Sequence, residues 1–177
     1  MKAWKNFLAL VLVLFCMVGI AAGCSASNVD FATVQNALTA EIKNTLLEQG
    51  GYTESELAGE MIPGYISGSL EQLDGQISIP ALEPHKDKIV NSFFMQNLMN
   101  VNSNVVILLE AENDQQAAEL KDALKEFHET QIGIWERYLP DQYEKVKANI
   151  TATKGKYVYY ITFDRPADLE QSILDIL

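Results

Sequence analysis

A chain of 177 residues with 24 acidic and 13 basic side chains, a formal net charge of −11, has the wrong sign for nucleic acid, whose binders neutralise phosphates with Lys and Arg. The same balance argues against adhesion of the folded surface to anionic lipid, which draws about 1 kcal/mol from each nearby basic residue. Its two cysteines are Cys16 and Cys24, and with none beyond Cys24 the stability of the folded part is expected from an apolar core and not from disulfide bridges.

Lys2 and Lys5 precede an apolar run from Phe7 to Ile20, which Ala21, Ala22, Gly23 and Cys24 follow. A helix crossing the hydrocarbon core needs roughly 20 apolar residues, so a run of 14 has the length of a signal-peptide h-region. The pattern resembles a bacterial lipoprotein signal. That resemblance implies a thioether from Cys24 to diacylglycerol and a cut between Gly23 and Cys24, although Ala21 stands where such signals more often carry Leu. Cys16 fails as an acceptor because bulky Phe15 precedes it inside the apolar run. The alternative is an ordinary signal peptide cut after an A-x-A-like site, with Cys24 a free thiol.

The expected organisation is a cleaved lipoprotein signal peptide over 1–23, a short tether over 24–29 and a single α+β domain over 30–177. The protein is then extracytoplasmic and anchored to the outer face of the cytoplasmic membrane. Two acyl chains on one diacylglyceryl group suffice, whereas one chain binds only marginally. Loss of Lys2 and Lys5 leaves 11 basic against 24 acidic residues, a net charge of −13.

From Asp30, a good N-cap residue, Phe31, Val34, Leu38, Ile42 and Leu46 recur at helical spacing up to Gly50-Gly51, which predicts an amphipathic helix. The segment 52–88 is dense in Gly and Pro and supports only a short helix over Ser67 to Leu73. Met61, Ile62, Tyr65, Ile77 and Ile79 in it are expected to cover a sheet face; lining a binding groove is the second reading. Ile89 to Met95, extending as far as Val101, and Val105 to Glu110 flank the turn residues Asn102-Ser103-Asn104 and read as a hairpin. Val105 to Glu110 is apolar on both faces.

Asp114 opens the clearest helix, with Ala117, Leu120, Leu124, Phe127, Gln131, Ile134 and Tyr138 alternating by three and four. Packing on the sheet is the main reading and a coiled-coil partner the other. A second hairpin, Asn149 to Thr153 and Tyr157 to Phe163, turns at Lys154-Gly155. Pro166 then starts a last helix with Leu169, Ile173, Leu174 and Leu177 on one stripe. The expected fold is α+β, a mainly antiparallel four-stranded sheet of two hairpins with helices packed on one face.

Trp135, Tyr138-Leu139-Pro140, Gln142-Tyr143-Glu144, Val146-Lys147 and the strand Lys154-Gly155-Lys156-Tyr157-Val158 form a pattern that resembles a family of bacterial lipoproteins, domain of unknown function 4358. The resemblance extends over roughly Ile89 to Phe163. It consists of core aromatics and turns and implies an anchored envelope protein of a Gram-positive bacterium; it carries over no catalytic group.

Catalytic patterns are missing from the sequence. His85 and His128 stand far apart with no H-E-x-x-H, and there is no G-x-S-x-G, no Walker loop and no cofactor fingerprint, so no metal or cofactor is expected. Ser67 or Ser69 with a distant histidine is a combination many chains offer by chance. Glu110 and Glu112 share a strand face and are expected at a solvated strand end. Asn149-Ile150-Thr151 spells a glycosylation acceptor that has no meaning in a bacterial chain.

Two functions remain. The first is a non-enzymatic binding or accessory module for an envelope protein, peptide or wall component, with Trp135, Tyr138 and Tyr143 as the candidate partner surface. The second is a weakly marked cell-envelope hydrolase, which requires a pocket holding a histidine and a carboxylate within hydrogen-bond reach.

Overall fold

Val105–Ala111 is β-branched and leucine-rich, and each of its residues is buried. A strand without a solvent face needs neighbours on both edges and cover on both faces. The computed structural model, which describes residues 29–177, supplies both; the signal segment, Cys24 and the tether up to Asn28 lie outside the described residues. In chain order the elements are α1 (Phe31–Glu48), a one-turn α2 (Glu54–Leu57), β1 (Tyr65–Gly68), a 3-10 segment (Pro80–Lys88), β2 (Ile89–Asn97), β3 (Val105–Ala111), α3 (Asp114–Trp135), α4 (Pro140–Lys147), β4 (Ile150–Lys154), β5 (Tyr157–Thr162) and α5 (Pro166–Leu174). The strands form one antiparallel sheet in the order β1-β2-β3-β5-β4.

The two expected hairpins are present as β2–β3 and β4–β5, but the sheet has five strands and not four. The extra strand lies in the Gly- and Pro-rich segment. Its four residues pair with Phe94 to Asn97 of β2, and it ends where the expected helix over Ser67 to Leu73 was to begin. In place of that helix the chain makes a single turn closed by a reciprocal cap. The Ser69 amide donates to Gln72 Oε1 at 3.0 Å and the Gln72 amide to Ser69 Oγ at 3.2 Å. Gly68 eases this turn, because a Cβ would stand 3.2 Å from Gln72 Oε1 and 3.4 Å from the Leu73 side chain and would press both aside.

The helices also cover both faces, not one. Strand alternation sends Phe93, Met95, Val106, Leu108, Tyr157, Tyr159 and Ile161 to the side of α1 and α5. Phe94, Val105, Ile107, Leu109, Val158 and Tyr160 go to the side of α3 and the 3-10 segment. The irregular segment wraps the β1 edge, so that Ile62 and Tyr65 seal the first core while Leu73, Ile79 and Leu82 seal the second. Met61 does not join them and is 81% exposed.

α1 buries its whole apolar stripe and α3 the first part of its own. In α1 that stripe is Phe31, Val34, Leu38, Ile42 and Leu46, and Asp30 takes the N-cap position without a side-chain bond. In α3 the cap is Asn113, whose side chain accepts from the Gln116 amide at 3.0 Å. Ala117, Leu120 and Leu124 are buried as the spacing predicts, but Ile134 and Tyr138 at the end of the stripe are exposed. At about 1.5 Å per residue α3 reaches some 33 Å, further than the strands beneath it. Arg165, in the left-handed conformation at φ 54, pairs with Glu48 and with Asp168, which ties α5 to the end of α1.

A polar cluster locks α4 to one end of the sheet. Asn104, buried at the start of β3, donates through Nδ2 to Tyr65 Oη at 2.9 Å. Its Oδ1 accepts from Lys145 Nζ at 2.9 Å, and the same ammonium reaches Asp164 Oδ2 at 2.9 Å. Lys145→Met should therefore cost about 1–3 kcal/mol, because it strands a buried acceptor. Urea denaturation measures this, and an unchanged midpoint would remove the cluster from the fold's stabilising contacts.

Burial also pushes two phenols up. Tyr160, which accepts from Thr162 Oγ1 at 3.0 Å, is raised from 10.0 to about 12. Tyr159 is raised by burial first and then by its bond to Glu170 Oε1 at 2.9 Å. The folded state thus holds these protons more tightly than the unfolded chain. Their contribution is complete below pH 10 and falls as pH rises toward 12. The denaturation midpoint should drop steeply over that window, and Tyr160→Phe should flatten the drop; equal slopes in the two proteins would contradict the assignment.

Candidate functional site

Beside its buried stripe α1 carries a polar line, Gln35, Thr39 and Lys43, which continues at four-residue spacing from buried Phe31. The three polar side chains are only partly buried. The line forms one wall of a groove of about 690 Å³ whose opposite wall comes from Ser67, Ser69 and Gln72 at the end of β1 and from Asn91 and Ser92 of β2. Ile62, Phe93 and Met95 are the buried floor, and Met61 stands exposed at the lip. The two charged residues on the walls are Lys43, whose Nζ donates to the Gly59 carbonyl at 2.9 Å, and Glu60.

The groove follows from the shortness of β1. That strand pairs with only the second half of β2, leaving the first half without a strand partner on that side. Even so, the edge is not an open ladder. Val90 forms a bulge between Ile89 and Asn91, and the Leu70 amide turns in to donate to Ser92 Oγ at 3.0 Å. Both are means by which sheets block strand addition. On the other face a second cleft of about 510 Å³ is lined by Leu70, Glu71, Asp74, Lys86 and Val90.

Glu110 is not at a solvated strand end. It is 6% exposed, held by Asn91 Nδ2 at 2.6 Å and Lys156 Nζ at 2.5 Å. Three strands meet at this point, and a buried carboxylate there needs such hydrogen-bonding partners. The aromatic surface is rearranged as well. Trp135 is buried, 7% exposed, with its ring 5.8 Å from that of Tyr138, which is 50% exposed. Tyr143 is partly buried beneath Lys147 Nζ at 4.9 Å. Tyr138 and Ile134 lie at the end of the fold that also carries the exposed Leu98, Met99 and Val101 of the β2–β3 turn, since Ser103 there is bonded to Gln142 of α4 at 2.9 Å.

Ser67 and Ser69 line the groove, but neither histidine does. His128 lies across the core with Nδ1 3.5 Å from Tyr160 Oη, and burial lowers its pKa. His85 Nδ1 faces Lys88 Nζ at 3.2 Å. Among the described residues no group of three or more His, Cys, Asp and Glu is placed to hold a metal, and no helix is long and apolar enough to cross a membrane. The wall residues Gln35, Asn36, Thr39, Gln72 and Asn91 carry no motif. The available signal was the polar line at four-residue spacing beside the apolar stripe of α1.

No curated protein and no solved structure gives a significant match to the chain. A family model does, over a span that takes in β2, β3, α3, α4, β4 and β5 and leaves out α1, the groove's other wall. Residues 85–163 match the family described as Domain of unknown function (DUF4358), and this part of the chain is similar to that family.

Proposed function

We propose that the protein is a bacterial envelope lipoprotein, cut between Gly23 and Cys24 and held on the outer face of the cytoplasmic membrane by a diacylglyceryl group on Cys24, and that its domain is a non-enzymatic binding or accessory module. The sequence from Met1 to Cys24 motivates the anchor. The observation that carries the binding role is the place where the chain leaves the domain. The Val29 carbonyl accepts from Tyr157 Oη at 2.6 Å, and Phe31 stacks on the same ring at 6.4 Å. Phe31 is also a wall residue of the groove.

The tether therefore leaves beside the groove. Five residues, Cys24 to Asn28, extend to at most about 18 Å, which keeps the groove and whatever occupies it near the membrane. The partner is an envelope protein, peptide or wall component. The hydrolase reading draws no support from a groove whose serines have no histidine beside them.

The anchor is tested with Cys24→Ser in the native host. The variant should appear in the medium or keep its uncut signal, and membrane fractions of the wild-type chain should carry lipid on the N-terminal cysteine. Full membrane retention of a cut Cys24→Ser chain would overturn the assignment.

A further inference from the structure

We infer that the groove between α1 and the β1–β2 edge takes an uncharged oligosaccharide; this names a ligand class for the binding role proposed above and rests on it. Hydrogen-bonding capacity is the first argument. The side chains of Gln35, Asn36, Thr39 and Ser67 line the groove and make no hydrogen bond with other described residues. Gln72 commits its Oε1 to the Ser69 amide, which leaves its Nε2 for a ligand. Asn91 commits Nδ2 to Glu110, which leaves its Oδ1. Carboxamides and hydroxyls offer donors and acceptors side by side, as a sugar hydroxyl needs, since it gives one hydrogen bond and accepts others.

Charge supplies the second argument. Lys43 and Glu60 oppose each other in sign, Lys43 is engaged by Gly59, and the domain as a whole carries 11 basic against 24 acidic residues. An anionic ligand gains nothing there. The third argument separates a sugar from an extended peptide. A peptide that adds as a strand uses the backbone of a regular, open edge, and this edge is made irregular by the Val90 bulge and approached by the loop whose Leu70 amide bonds Ser92 Oγ. Recognition must come from the side-chain walls, with Met61 at the lip offering an exposed apolar surface to the C–H face of a sugar ring.

The test uses the full chain in a non-glycosidic detergent with chitotriose, the β-1,4-linked trimer of N-acetylglucosamine, as probe. Saturable NMR shifts are expected at the side-chain amides of Gln35, Asn36 and Gln72. The double variant Gln35→Leu with Asn36→Leu should bind about tenfold more weakly, the loss expected for one or two hydrogen bonds, with an unchanged thermal midpoint. Absence of shifts with chitotriose, shifts that the double variant leaves intact, or equally strong shifts with N-acetyl-trialanine amide would overturn the inference. Membrane retention is read separately from Cys24→Ser, so normal anchoring without sugar binding defeats this inference and leaves the anchor standing. Peptide binding in the groove would leave the binding module standing.

Discussion

The architecture depends on the burial of β3 from both sides. A Val or Leu side chain taken fully out of water is worth about 1.5–3 kcal/mol, and Val105 to Leu109 are five such residues in a row. Alternation splits them between two faces, so neither helical layer alone can bury the strand. Two layers are needed. α1 and α5 cover Val106 and Leu108, while α3 and the 3-10 segment cover Val105, Ile107 and Leu109. The same demand recurs in β5, where Tyr157, Tyr159 and Ile161 face one core and Val158 and Tyr160 the other.

A central strand of this kind makes the sheet edges the variable part of the molecule. At one edge β1 is only four residues long, and the chain that follows it folds around the edge and seals both cores in turn. The cost of that path is an incompletely covered face next to α1, and the groove is the result. Its polar walls are compatible with stability because they are solvated; among the buried side-chain polar atoms of the described residues Thr45 Oγ1 alone lacks a partner. Asn104, Glu110 and Tyr160 each have partners, as groups removed from water must.

Position gives these features a functional direction. The Val29 to Tyr157 bond and the Phe31 to Tyr157 stack lie at one end of the sheet, where the groove begins; the exposed Leu98, Met99, Val101, Ile134 and Tyr138 lie at the other. Under the proposed lipid attachment at Cys24, the Phe31 end of the groove would lie nearer the membrane than the apolar end. The polar cluster of Lys145, Asn104 and Asp164 keeps α4 fixed to that distal end.

Element identity was determined by the sequence itself. The apolar positions of α1 and of the first half of α3, and the two hairpins, follow from spacings of three, four and two residues, and such spacings are local. Even the two-sided burial is legible, because Val105 to Glu110 and Tyr157 to Phe163 are apolar on both faces; which helices cover each face is not. The tertiary structure alone decided the rest. That Tyr65–Gly68 is a strand, that Glu110 is buried against Lys156, and that Trp135 is buried while Tyr138 is exposed all depend on contacts between residues far apart in the chain. The groove is of the same kind. Gln35, Gln72 and Asn91 become neighbours only when α1, the turn after β1 and the first half of β2 are packed together, and no spacing along the chain encodes which surfaces a packed core leaves uncovered.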